Sequence, residues 1–233
     1  MNKRIVVTGG TKGIGRAIIE KFAANGFDII TCSRNSDELD ALKIEIKKHT
    51  QIEVHTKKVD VATRKDVIDF GDYVNSLGGA DVLVNNAGVF IPGQMHNEAE
   101  GALEKMINTN LYSAYHLTRK IIPEMMSRKS GHVFNICSTA SIMPYVNGGS
   151  YCISKYAMLG MTKVLREEMK EHDIKVTAIM PGATLTASWE GVDLPEDRFM
   201  KAEDVAESVY AAYNLSKSAV IEEIIMRPQL GDI

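Results

Sequence analysis

Seven short runs of apolar and β-branched residues alternate along the chain with longer stretches whose apolar positions recur every three or four residues. The runs RIVVTG (4–9), FDIITCS (27–33), IEVHTKKV (52–59), DVLVNN (81–86), HVFNICS (132–138), KVTAIM (175–180) and IEEIIM (221–226) predict strands. The intervening stretches 13–25, 37–48, 63–77, 99–126, 151–171 and 203–215 predict helices. Strands alternating with helices build βαβ units, so the expected fold is α/β, a doubly wound parallel sheet of about seven strands flanked by helices. The near-continuous apolar character of 81–84 suits a strand covered on both faces. The alternation runs on without a Pro/Ser-rich linker, a low-complexity tract or an obvious repeat, and 1–233 reads as a single domain.

Composition narrows the function classes. With 233 residues, 45% hydrophobic, 24% charged and a net charge of −3, the chain reads as an ordinary globular protein able to bury a substantial core. Mild acidity without a basic cluster argues against nucleic acid or an anionic membrane as the main partner, and favours a small molecule. The apolar run in MNKRIVVTGG is too short for a secretory signal or a membrane span, which predicts a cytoplasmic protein. Cys32, Cys137 and Cys152 are odd in number, widely spaced and form no C-x-x-C pair, so buried free thiols are expected rather than a disulfide framework or zinc site. The six histidines show no paired-ligand spacing, and no metal is expected.

Candidate chemistry begins at VVTGGTKGIGRAI, which sets Gly9, Gly10, Gly13 and Gly15 between the first strand and the first helix. Such a turn is either structural or a cradle where a pyrophosphate approaches amides at the positive end of a helix. About 20 residues on, dinucleotide folds that bind NAD place an acidic residue against the adenine ribose. Here the second strand ends in Ser33-Arg34. A serine and a guanidinium can hold a 2′-phosphate that a carboxylate would repel, so NADP is favoured, with Lys12 a second cation nearby. Asn35-Ser36-Asp37-Glu38 reads as a helix cap followed by first-turn carboxylates.

YCISK places Tyr151 and Lys155 four apart, on one face of a helix. An ammonium beside a phenol stabilises the phenolate and makes the tyrosine a better proton donor and acceptor at neutral pH. Y-x-x-x-K also occurs by chance, but Ser138 ends a parallel strand thirteen residues upstream, at the edge where open α/β sheets bind ligands.

The spacing Thr-Gly-x-x-x-Gly-x-Gly, Asp60 after the third strand, NNAG at 85–88, Asn110 in a helix, Ser138, Tyr151 with Lys155, and PG at 181–182 together resemble the short-chain dehydrogenase/reductase family over almost the whole chain. That resemblance implies a Rossmann-like fold and an NADP-dependent carbonyl reductase, of a ketone, an aldehyde or a 3-oxoacyl thioester. Tyr151 would be the proton donor, Ser138 the carbonyl-oxygen ligand, Lys155 the ribose grip and tyrosine tuner, and Asn110 part of a proton relay. It also implies cofactor contacts from Gly9, Thr11, Lys12, Gly13, Ile14, Gly15, Ser33 and Arg34. Further on, Asp60 and Val61 would flank the adenine, Asn86, Ala87 and Gly88 would border the ribose, and Pro181, Gly182, Thr184 and Thr186 would lie toward the nicotinamide. An NAD-dependent alcohol dehydrogenase working oxidatively, and a non-catalytic NADP-binding sensor or scaffold, are the alternatives.

The family keeps a substrate lid in the region 183–202, where Trp189 either walls the pocket or anchors the loop; Met143 and Tyr145 are further pocket candidates. Apolar and small residues of 99–126 and 151–171, among them Ala114, Ala157, Met158, Gly160 and Met161, exceed one buried stripe. Since the family often pairs these helices between subunits, a homodimer or homotetramer is expected. RPQLGDI ends the chain soon after the last strand, without the longer extensions that shape the pocket in some relatives.

Overall fold

A computed structural model describes residues 2–189, 191 and 193–233; Glu190 and Val192 of the expected lid lie outside the described residues. Seven strands, β1 (Arg4–Thr8), β2 (Asp28–Ser33), β3 (Val54–Lys58), β4 (Val82–Asn85), β5 (Gly131–Ile136), β6 (Ile174–Pro181) and β7 (Glu223–Met226), form one sheet in the order β3-β2-β1-β4-β5-β6-β7. Every pairing is parallel. The helices are α1 (Gly13–Ala24), α2 (Ser36–His49), α3 (Arg64–Ser76), α4 (Ala102–Ile107), α5 (Ser113–Arg128), α6 (Gly149–Met169) and α7 (Ala202–Tyr213).

Strand parity divides the core. In β1, Ile5 and Val7 face the layer that holds Phe22 of α1 and Val205 and Val209 of α7, while Val6 faces Phe70 of α3 and Leu117 of α5. The same alternation sends Val82 and Val84 of β4 to the first layer and Leu83 to the second. These side chains are fully buried, and each contributes about 1.5–3 kcal/mol by leaving water. No helix among the described residues is long and apolar enough to cross a membrane.

One predicted helix is not continuous. The stretch 99–126 divides into α4, a π-helical turn Asn108–Tyr112 and α5, because the Asn110 side chain is drawn inward to bond the backbone of Val89. Two of the small and apolar residues expected at a subunit interface, Ala114 and Met158, are buried against Cys137, Leu159, Ala178 and Met180 within the subunit. Of the others, Ala157 and Met161 are half-buried and Gly160 is exposed, and the exposed apolar residues of these helical stretches include Tyr112, Tyr115, Ile153, Tyr156 and Val164.

A buried histidine gives the fold an acid-sensitive point. His132 at the start of β5 stacks on Phe134 with ring centroids 3.8 Å apart, and its Nε2 lies 2.8 Å from Thr177 Oγ1. Because Thr177 spends its hydroxyl proton on Ile221 O, His132 Nε2 must donate, which leaves Nδ1 as a buried acceptor with no partner among the described residues. Burial, and secondarily Lys175, pushes its pKa from 6.5 down to about 3. The unfolded chain therefore binds this proton first as pH falls, and the stability that neutral His132 permits is complete above about pH 6.5 and lost toward pH 3. Urea unfolding should show a loss approaching about 1.4 kcal/mol per pH unit in that window. In His132→Gln that slope should shrink; an unchanged profile would place the acid sensitivity elsewhere.

Candidate active site

Strand order reverses between β1 and β4, so a crevice opens at their carboxyl ends. Thr8, the last residue of β1, holds the two lips together. Its Oγ1 accepts from the backbone N–H groups of Asn86 and Ala87, each at 3.0 Å, while Asn86 Nδ2 donates to Thr8 O at 2.9 Å and Gly9 O at 3.2 Å. This stapling leaves no room behind Gly15, where an added Cβ would lie 2.4 Å from Gly9 O and 2.5 Å from Asn86 Nδ2. Helix α1 then opens with Gly13, Ile14 and Gly15, without a side-chain cap from Lys12. First-turn amides without an internal anion, above a glycine turn, suit a dinucleotide pyrophosphate.

At the far end of the crevice Ser33 closes β2, and Arg34 is exposed. Asn35 caps α2 as expected, accepting from Asp37 N and Glu38 N. Glu38, however, is more than a first-turn charge. Its carboxylate turns back to the glycine turn, 2.8 Å from Lys12 Nζ, and accepts from Thr11 Oγ1 at 2.9 Å. The Lys12 and Thr11 bonds hold its pKa below the usual glutamate range. Asp60 Oδ1 accepts from Ala62 N at 3.0 Å, and Val61 packs on the core between them.

Around α6 a second group converges. Lys155 is only 5% exposed; its Nζ donates to Ile136 O at 2.9 Å and lies 5.7 Å from the centre of the Tyr151 ring. Asn110 is fully buried, with Oδ1 accepting from Val89 N at 2.7 Å and Nδ2 donating to Val89 O at 3.0 Å and Ser154 Oγ at 2.9 Å. Ser154 in turn donates to Tyr151 O at 2.7 Å, so the π-helical turn, the NNAG loop and α6 are bonded in series. Gly88 sits where they meet, since a Cβ there would lie 3.3 Å from Asn110 Oδ1 and 3.7 Å from Lys155 Nζ. Ser138 follows β5, and its Oγ accepts from Ala140 N at 3.1 Å, leaving the hydroxyl proton to donate to another group. Phe90 sets its ring edge-to-face with Tyr151, centroids 5.0 Å apart.

The three cysteines are free and buried. Burial pushes the pKa of Cys137 up to about 11 and that of Cys32 up to about 12, so both stay thiols at neutral pH.

A cavity of about 650 Å³ adjoins this group, walled by Gln94, Met95, Tyr145, Val146, Cys152 and Tyr156 among others. It opens on the side of α6 that carries Cys152 and Tyr156, and Tyr151 is not in its wall. Tyr145 links the two regions: burial, and then the neighbouring Tyr151, push its pKa well above the usual tyrosine value. Met143 is exposed and does not line the cavity. Across the crevice, Ala183 and Leu185 bond Met200 at the base of the expected lid. Trp189 packs on Phe199 with centroids 5.0 Å apart, which favours the anchoring role. Thr184 Oγ1 bonds Gly182 O, and Thr186 reaches the glycine turn, its Cγ2 3.0 Å from where a Cβ on Gly13 would sit.

Four contributors escaped the sequence reading. Thr8 opens the Thr-Gly-x-x-x-Gly-x-Gly motif but was given no role there, Phe90 lies two residues past NNAG, and Ser154 lies inside YCISK itself. Glu98 has no local signal. It lies in the loop before α4, yet its carboxylate bonds both the hydroxyl and the backbone N–H of Ser150 in the first turn of α6, while Gly93 N bonds Asn147 O. An anion at a helix start is stabilising, and here it also ties a distant loop to the turn that carries Tyr151.

Comparison with known proteins agrees with this fold. The short chain dehydrogenase family model matches residues 3–196. A sepiapterin reductase of Chlorobaculum tepidum is 32% identical over 100% of this chain and 99% of its own. A metagenomic short-chain oxidoreductase solved with NADP superposes with a TM-score of 0.84 at 28% identity, covering 97% of each chain. L-sorbose reductase from Gluconobacter frateurii, solved with NADPH and L-sorbose, gives 0.90 at 28% identity over 97% of this chain and 95% of its own.

Replacing Glu98 with Ala should cost about 1–2 kcal/mol, a charge-assisted bond and a helix-end interaction, and lower the melting temperature by a few degrees. Glu98→Gln, which keeps hydrogen-bonding capacity, should lose less. Equal melting of Ala, Gln and native forms would remove Glu98 from the framework of α6.

Proposed function

From the premise that the chain belongs to the short chain dehydrogenase family of oxidoreductases and so uses a nicotinamide cofactor, we propose that it is an NADPH-dependent carbonyl reductase. The observation that carries the reading is the convergence of Tyr151, buried Lys155 and bonded Asn110 at the carboxyl edge of the sheet, where Lys155 bonds the end of β5 two residues before Ser138. Gly9 to Gly15 and Asn86 to Gly88 would hold the cofactor's phosphates and ribose, with Pro181 to Thr186 toward its nicotinamide. When bound there, the cofactor would supply the hydride that reduces the carbonyl carbon. Ser138 donates a hydrogen bond to the carbonyl oxygen and stabilises its developing negative charge. Tyr151 gives that oxygen its phenol proton, completing the alcohol. Lys155, held by Ile136 O, stabilises the resulting phenolate. Asn110 fixes the NNAG loop against α6, and its family role as a relay member belongs to the same proposal.

The apolar and aromatic cavity wall, with Phe90 against Tyr151, favours a substrate with an apolar or aromatic flank on its carbonyl. Exposed Tyr112, Tyr115, Ile153, Tyr156 and Val164 on α5, α6 and the turn before α5 support self-association through these helices. Three buried free thiols suit a reducing cytoplasm.

Tyr151→Phe should abolish NADPH oxidation with an accepted ketone or aldehyde and leave NADPH affinity nearly intact, whereas Lys155→Ala should weaken both. Near-native turnover in Tyr151→Phe would overturn the proton-donor assignment. Fluorescence titration should show NADPH preferred over NADH by about tenfold at low salt, the margin shrinking as salt screens the phosphate contacts. Replacing Ser33 with Asp and Arg34 with a neutral residue should reverse it. Equal native affinities would sink the NADP assignment and leave the reductase reading standing.

A further inference from the structure

The corner assigned to the adenosine 2′-phosphate already contains an anion. Glu38 Oε1 lies 2.8 Å from Lys12 Nζ and accepts from Asn35 Nδ2 at 3.2 Å, while Oε2 accepts from Thr11 Oγ1 at 2.9 Å. One ammonium, one hydroxyl and one amide thus converge on a single carboxylate, drawn from the glycine turn and the β2–α2 loop. Those are donors of the kind a phosphate monoester would need, and exposed Arg34 stands beside them. Two of the bonds cross from α2 to the glycine turn, a placement that the helix cap alone does not require: Asn35 already satisfies the first-turn amides of Asp37 and Glu38.

We propose that Glu38 is a specificity-determining residue, an internal counter-anion whose carboxylate holds the phosphate donors in the free protein and must give them up when a 2′-phosphorylated dinucleotide binds. The inference rests on the NADPH reading above. A dianionic phosphate both competes for Lys12 and Thr11 and is repelled by the carboxylate it displaces, so Glu38 lowers affinity for the phosphorylated ligand. It also keeps Lys12 and Thr11 ordered for the exchange. A dinucleotide without the phosphate leaves the Glu38 contacts in place and does not incur that penalty.

The test is calorimetric titration of native protein, Glu38→Gln and Glu38→Ala with adenosine 2′,5′-bisphosphate and with 5′-AMP, after equal unfolding transitions establish that the variants are folded. Both variants should bind the bisphosphate at least about fivefold more tightly than native protein and 5′-AMP unchanged, as expected when one like charge is removed from a screened corner. Glu38→Gln retains an acceptor and keeps the Thr11 bond, so Glu38→Ala, if it destabilises the turn, does not decide the matter alone. Weaker 5′-AMP binding in both variants would overturn the proposal by making Glu38 a ribose-hydroxyl acceptor. Unchanged affinities for both ligands would overturn it as well. The native NADPH-to-NADH ratio separates the two levels: a native preference for NADPH with unresponsive Glu38 variants refutes only the counter-anion, whereas a native preference for NADH refutes the NADP reading on which it stands.

Discussion

An ammonium withdrawn from water needs acceptors that the protein itself supplies, and the centre of this structure is organised around that requirement. Lys155 is buried, and Ile136 O at the end of β5 accepts one of its three donors. That bond fixes the spacing between α6 and the sheet, and hence the height of Tyr151 above the crevice. Space for the amine head is kept by Gly88, and the wall on that side is closed by Asn110, whose helix widens into a π turn to deliver the amide. A strict α-helix through 108–112 would carry Asn110 on a different heading, and the Val89 and Ser154 bonds would go unmade.

The two ends of the crevice are electrostatically unlike. Around α6 the charge is single, buried and held by neutral dipoles, so salt screens it weakly. Near α2 charges are exposed and paired, with Lys12 and Glu38 both partly in solvent. Interactions there are individually modest and easily exchanged. Permanence around α6 and exchangeability near α2 follow from burial alone.

Much of this was legible in the chain. Short apolar runs and period-3.6 patterns located all seven strands and six helical regions, because the central strands β1, β2, β4, β5 and β6 are buried on both faces and the helices on one. Tyr151, Lys155 and Ser138 were readable because their spacing falls on elements of known geometry. What escaped did so for a physical reason. Glu98 acts across 52 residues of chain, and Thr8 acts on Asn86 across 78, from β1 to the end of β4; neither contact has a local period to betray it. The interruption at Asn108–Tyr112 was hidden because apolar residues still recur every three or four positions across it, at Leu103, Ile107, Leu111, Ala114 and Leu117. Glu38 was read correctly as a first-turn carboxylate, but where its side chain goes depends on the glycine turn, which only tertiary structure brings near.

The position of β1 in the sheet has a consequence for how the molecule comes together. Val6 pairs with Ile30, 24 residues away, and with Leu83, 77 residues away. The first contact closes a modest loop, while the second waits on β2, β3 and three helices and carries a larger chain-entropy cost. Thr8 cannot grasp Asn86 and Ala87 until that second pairing exists. The glycine turn therefore acquires its floor late, and an early β1–β2–β3 unit would present the sequence of a nucleotide cradle without its shape. Ligand affinity is in this way tied to completion of the central sheet, so a half-built chain has little means of sequestering cofactor.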